Sequence, residues 1–220
     1  MNIKQKLTCA FVAIACLPIL LVAAVVIYNL RSQAEATFLD GSSREIRQIE
    51  NAMNMFFKGI SESVDYVAAL PPLVAAPQLK NYSSADADRL PLPEANRELE
   101  DLFDLFAKAH PTTAYLSYGR VDGGYATWPR DPGLKNYDPR VRPWYKKAME
   151  APGQTLRTAA YYWAPDDAVL IGTVRTVNDA RGNLAGVVGL DVSLKQLTEL
   201  VRQIKLGETG YLMLVEANGN

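Results

Sequence analysis

The chain has 220 residues, with 23 basic and 24 acidic side chains and a formal charge of −1. That balance argues against an electrostatic nucleic-acid binder, which carries a basic excess. His110 is the only histidine, so a His-rich zinc site is impossible and a Ser-His-Asp triad would have to use that one residue. Cys9 and Cys16 share one apolar segment and read as small helix side chains, which excludes a disulfide scaffold and a Cys-ligated metal. No cofactor and no metal are implied.

Residues 7–28 form a 22-residue run interrupted only by Thr8 and Pro18. A helix of that length spans roughly 33 Å, enough for a bilayer core. Lys4 and Lys6 precede the run and no acidic residue does, which places residues 1–6 in the cytoplasm and the rest outside. The competing reading is a cleaved signal peptide, with Ala34-Glu35-Ala36 as the cleavage site. A signal core is usually about 7–15 residues, shorter than this run. The expectation is a single-pass anchor in the cell inner membrane with an extracytoplasmic, periplasmic domain.

Residues 32–70 lack proline, and Ile46, Ile49, Met53, Phe56, Phe57, Ile60, Val64 and Val67 recur every three or four positions. This is the stripe of a long amphipathic helix, suited to covering a sheet or to pairing with a copy of itself as a homodimer. Pro71-Pro72 and Pro77 break the pattern. A second helix starts near Pro93, with Leu99, Leu102, Phe103 and Phe106 on its buried face. Strands are predicted over 113–118 and 125–128, joined by an Asp122-Gly123-Gly124 turn, and over 156–162, 169–177 and 184–192. Ser193 and Gln196 form a capping box for a helix with Leu194, Leu197, Val201 and Ile204 on one face. Helices followed by an antiparallel meander indicate an α+β fold. A further strand is expected over 211–215, which reads as the opening of a second, incomplete module.

Asp138-Pro139-Arg140-Val141-Arg142-Pro143-Trp144-Tyr145 is the stretch richest in chemistry. The prolines stiffen the backbone, the arginines offer donor forks that match a carboxylate, and Trp and Tyr add directed donors. Such a group suits a small anion. The alternative is a loop anchored by Arg–Asp pairing with its aromatics in the core. An enzyme fits poorly, since there is no nucleophile–base pair, metal cluster or phosphate loop.

The order of these motifs, followed by Gly186-Val-Val-Gly-Leu-Asp191-Val-Ser and Gly207-Glu-Thr-Gly-Tyr-Leu, resembles the double Cache (dCache) sensor domain of bacterial chemoreceptors and related transmembrane receptors. The resemblance implies two stacked PAS-like modules beside a long N-terminal helix, with ligand in the membrane-distal module. It divides the chain into a cytoplasmic N-terminus 1–6, a transmembrane helix 7–28, a stalk helix 29–70, a distal binding module 71–206 and the start of a proximal module at 207–220. It further implies that Tyr137, Arg142 and Trp144 bind a ligand carboxylate, and that Tyr145 and Asp191 bind an ammonium group. The expected partner is an amino acid, amine or small carboxylate. One departure stands out: the family's Tyr-x-Asp-Ala reads Tyr161-Tyr162-Trp163-Ala164 here, with Asp166 and Asp167 slightly later. That gives Tyr161 and Trp163 an aromatic wall in place of a carboxylate, and an aromatic face can hold a cation. For Tyr118 and Trp128 core packing is the favoured reading over a pocket role. A histidine-kinase or cyclic-dinucleotide output, or a ligand-independent dimerisation module, remain the alternatives to chemotaxis.

Overall fold

A computed structural model describes residues 2–75, 78–84, 87 and 91–202. Ile204 and the expected strand 211–215 lie outside the described residues, as do the side chains of Gln196 and Val201. Residues 1–51 and 52–220 form two compact units.

The apolar run and the amphipathic stripe belong to one continuous helix, α1 (Ile3–Ala68), with Pro18 inside it. In the first unit, Phe11, Ile14, Ile19 and Leu20 are exposed. From Ile14 onward the helix is long and apolar enough to cross a membrane, with a mean hydropathy of 2.1 in a window that is 0 % buried.

In the second unit, the last turns of α1 bury Ile60, Val64 and Val67. After the short α2 (Pro71–Val74) comes α3 (Glu94–Ala109), whose Leu99, Phe103 and Phe106 are buried at helical spacing. Six antiparallel strands follow: β1 (Thr113–Arg120), β2 (Tyr125–Trp128), β3 (Leu156–Arg157), β4 (Tyr161–Trp163), β5 (Ala168–Asn178) and β6 (Leu184–Ser193). Their order is β2-β1-β6-β5-β3, with β4 also paired to β5. Gly123 (φ 89°) closes the β1–β2 turn, where Asp122 Oδ1 accepts from the Gly124 amide at 2.9 Å. The short helix α4 (Pro143–Met149) lies between β2 and β3, and α5 (Leu194–Arg202) follows β6, with Ser193 Oγ accepting from the Lys195 amide at 3.2 Å.

The single strand predicted over 156–162 is two strands. Thr158 donates its amide to Gly172 O at 2.8 Å, but the Gly172 amide is taken by the Thr158 side-chain oxygen at 3.0 Å. A side chain replaces the backbone acceptor, so the ladder is interrupted there.

Alternation gives the sheet two faces. Leu116, Tyr118, Val188, Leu190 and Val192 pack with Val64, Val67, Leu99 and Phe103 in the main core. Tyr118 is 0 % exposed and donates its hydroxyl to Leu73 O at 3.1 Å. Trp128 packs against the same core and donates Nε1 to Asp104 Oδ1 at 3.1 Å. Both belong to the core. The opposite face is reached by α4, which lays Tyr145 and Ala148 on Val174 and Val187.

Candidate ligand-binding site

The second face carries the candidate site. Register places Tyr115 of β1 opposite Asp191 of β6, and Asp191 opposite Gly172 of β5. The next rows hold Thr127, Ser117, Gly189 and Val174, then Tyr125, Gly119, Val187 and Thr176. Glycines in this surface make room for what covers it. A methyl group at Gly189 would lie 3.3 Å from the Trp144 ring, and one at Gly172 would lie 2.8 Å from Asp191 Oδ1.

The two arginines of the 138–145 stretch have different surroundings. Arg140 is spent inside the loop: its guanidinium holds both Asp138 oxygens at 2.9 and 2.8 Å, and its amide donates to Asp138 Oδ1 at 2.9 Å. That pairing with Arg140 holds the Asp138 carboxyl below its ordinary range. Arg142 forms no ion pair among the described residues. Its guanidinium stacks over the Tyr137 ring at 4.4 Å, and its buried Nε has no hydrogen-bond partner.

Tyr137 is the hub of the donor end. Its oxygen accepts from Trp144 Nε1 at 3.1 Å, and the Tyr125 ring lies 4.6 Å from its own. Ser117 Oγ lies 2.9 Å from the Tyr125 hydroxyl. Burial pushes the Tyr137 phenol up, against the lowering effect of Trp144 and Tyr125, so its own proton stays in place. The indole N–H is donated to this oxygen, which leaves the Tyr137 O–H to seek an acceptor. Arg142 Nε and Tyr137 O–H therefore form a pair of unspent donors.

The acceptor end is Asp191. Its carboxyl interacts with the Tyr161 phenol, and it forms no ion pair among the described residues. Burial pushes this carboxyl up to about 6, against the lowering effect of that phenol. The same surroundings raise the Tyr161 phenol, first by burial and then by the Asp191 charge. Tyr137 senses both ends, because Arg142 lowers and Asp191 raises its pKa. A buried carboxylate facing donors and aromatic rings calls for a cation.

Tyr145 packs on the same sheet face, its ring 5.7 Å from that of Trp144. Its ring is buried with Ala148, Val174 and Val187, and its raised phenol pKa, due first to burial, also reflects Arg140, Asp122 and Asp138. Trp163 does reach the site, donating Nε1 to the Tyr115 hydroxyl at 2.9 Å. Tyr115 and Tyr125 are absent from the residues expected from sequence. The signal that locates Tyr115 is its parity on β1, opposite in face to the core residues Leu116 and Tyr118.

A cavity of about 450 Å³ lies beside the site, bordered by Tyr82, Glu100, Tyr125, Thr127 and Arg130. Lys80, Asp131 and Lys135 also line it, and Arg130 Nε is 2.7 Å from Glu100 Oε2. Burial still raises the Glu100 carboxyl, with Arg130 opposing. Arg142 and Asp191 form no ion pair among the described residues.

A Cache-domain family model (dCache_1) matches residues 29–220. The chain belongs to the Cache-domain family. Among its relatives, the methyl-accepting chemotaxis protein McpB of Bacillus subtilis is 24% identical over 217 residues, covering 99% of this chain and 30% of McpB. McpG of Pseudomonas putida, also a methyl-accepting chemotaxis protein, is 38% identical over 107 residues, 49% of this chain and 16% of McpG. The chain thus spans less than a third of these relatives. The ligand-binding domain of the Pseudomonas aeruginosa amino acid chemoreceptor PctC, solved with GABA, superposes with a TM-score of 0.57 at 25% identity, covering 78% of this chain and 68% of that one. The ligand-binding domain of Pseudomonas fluorescens CtaA, solved with L-serine, gives 0.55 at 24% identity over 77% and 64% of the two chains and shows the shared fold. This Cache fold brings Tyr137, Arg142, Trp144, Tyr161, Trp163 and Asp191 to one sheet face, on which Tyr145 also packs, against Val174 and Val187.

Proposed function

We propose that this chain is the sensing part of a membrane chemoreceptor and binds a small zwitterion, an amino acid or a close relative, outside the cytoplasm. Arg142 Nε and the Tyr137 hydroxyl hold the carboxylate, with Trp144 fixing Tyr137. Asp191, oriented by Tyr161, holds the ammonium group. One observation carries this reading: Arg142 and Asp191 are both partly buried on one face, Arg142 Nε has no hydrogen-bond partner, and neither residue forms an ion pair among the described residues. A ligand that brings both charges satisfies both ends at once, and a buried pair so satisfied is favourable where a lone buried charge is costly. PctC, an amino acid chemoreceptor solved with GABA, supports the class of ligand.

In this reading residues 7–28 anchor the chain in the inner membrane, 29–70 form a periplasmic stalk that pairs with a second copy, and 71–206 form the binding module. The domain binds and signals and does not catalyse. The methyl-accepting relatives favour a chemotaxis output over a kinase or cyclic-dinucleotide output. A thermal-shift screen of the chain in detergent micelles, with amino acids, amines and organic acids, tests the proposal. Amino acids are expected to raise the melting temperature, since a ligand that binds only the native state stabilises it. A rise with simple amines or organic acids but none with amino acids contradicts it.

A further inference from the structure

Trp163 ends β4, and the structure gives it a particular partner. β4 pairs only with β5, two strands away from β1 in the sheet order. Trp163 nevertheless reaches the β1 residue Tyr115, Nε1 to hydroxyl at 2.9 Å, with the rings edge to face at 5.7 Å. The strand between β5 and β1 is β6, and its residue opposite Tyr115 is Asp191. The Tyr115 hydroxyl in turn donates to Asp166, in the turn that follows Trp163. Two bonds to one phenol thus tie the 163–166 segment across the strand that carries Asp191.

Each polar group in this tie is occupied by another member. The indole N–H is given to Tyr115, and the Tyr115 proton is given to Asp166. Apart from the Tyr161 hydroxyl, what this tie offers beside Asp191 is ring carbon. Behind it stands a second carboxylate, Asp166, and the charges of Asp166 and Asp191 both raise the Tyr115 phenol pKa, after burial as the first cause. Aliphatic carbon next to the ligand's ammonium group gains contact with the rings. A second ligand carboxylate at that place meets two like charges and no free donor.

We infer that Tyr115, Trp163 and Asp166 form a specificity wall beside Asp191 that favours ligands with an aliphatic side chain and rejects those with a second carboxylate. The inference rests on the assignment of Arg142 and Asp191 made above and adds the side-chain class.

The test is isothermal titration of the chain, in nanodiscs, with glycine, L-valine and L-aspartate. Each buried methylene contributes about fourfold in affinity, so L-valine is expected to bind roughly tenfold or more tighter than glycine, and L-aspartate at least tenfold weaker than L-valine. In Trp163→Ala the valine-to-glycine ratio falls to about two or less. Tyr115→Phe keeps the ring and removes the tie, and the ratio falls in the same direction. A wild-type chain that binds glycine with no preference for L-valine overturns the wall alone. So does a Trp163→Ala or Tyr115→Phe variant in which both affinities change by one common factor. A wild-type chain that binds none of the three overturns the wall together with the reading of Arg142 and Asp191.

Discussion

The Asp191 carboxyl and the Tyr161 phenol shift each other's pKa, and Asp191 forms no ion pair among the described residues. A pH dependence follows. Burial raises the carboxyl to about 6 in the fold, while an aspartate in the unfolded chain titrates near about 4. The folded state therefore binds this proton more tightly. The stabilisation is full below about pH 4 and is lost as the pH rises through about 6. Its size is at most about 3 kcal/mol. Asp191→Asn, neutral at every pH, is expected to flatten the stability profile between pH 4 and 7 in melting experiments. An unchanged profile contradicts the assignment. An ammonium ligand has the opposite dependence, because it needs the ionised carboxylate: its affinity is expected to fall up to tenfold per pH unit below about 6.

Asn96 supports the site from the helical layer. It is 0 % exposed, accepts from the Lys80 amide at 2.8 Å and donates to Tyr125 O at 2.8 Å. Asn96→Ala leaves two backbone groups without that partner and is expected to cost about 1–3 kcal/mol in denaturant unfolding. Asn96→Leu is expected to do no better, since shape does not replace the two bonds. A loss below about 0.5 kcal/mol would show that other groups take over.

Gly119 sets the seat of Trp144. A methyl group there would lie 2.6 Å from Pro139 Cβ and 3.1 Å from the far edge of the indole. Gly119→Ala is expected to cost about 1–3 kcal/mol through overcrowding. Because Trp144 fixes Tyr137, the same variant is expected to weaken ligand binding while α3 and the main core stay intact. Tryptophan fluorescence with and without ligand separates the two effects.

Asp65 links the second unit's part of α1 to the sheet. Arg175 Nη1 lies 2.8 Å from Asp65 Oδ1, and the Thr155 hydroxyl bonds the same oxygen. The Arg175 and Asp65 side chains are 31% and 47% exposed, so solvent screens them. A double-mutant cycle on Asp65→Ala and Arg175→Ala is expected to give a coupling of no more than about 1 kcal/mol. The hold of α1 on the sheet comes mainly from Val64 and Val67, both buried in the core.

Much of this was legible in the sequence. Periodicity located α3 and most of the sheet, and the 138–145 stretch announced its chemistry. Three features were not legible, each for a local reason. The residues alone do not separate Arg140 from Arg142, which only the family resemblance does; in the structure Asp138 reaches back to Arg140 and Arg142 forms no ion pair among the described residues. Tyr145 follows Trp144 directly, but one step along a helix turns a side chain by about 100°, which sends its ring to Val174 and Val187. The strand predicted over 156–162 is broken by a single threonine side chain that takes a ladder amide.

The most direct test of the account is the carboxylate end. Isothermal titration with glycine at pH 7.5 compares the wild-type chain with Arg142→Ala. The account predicts measurable binding to the wild type and at least a tenfold loss in Arg142→Ala, in line with the roughly 1.5–3 kcal/mol of a charge-assisted hydrogen bond. Equal affinity in the two proteins would contradict it.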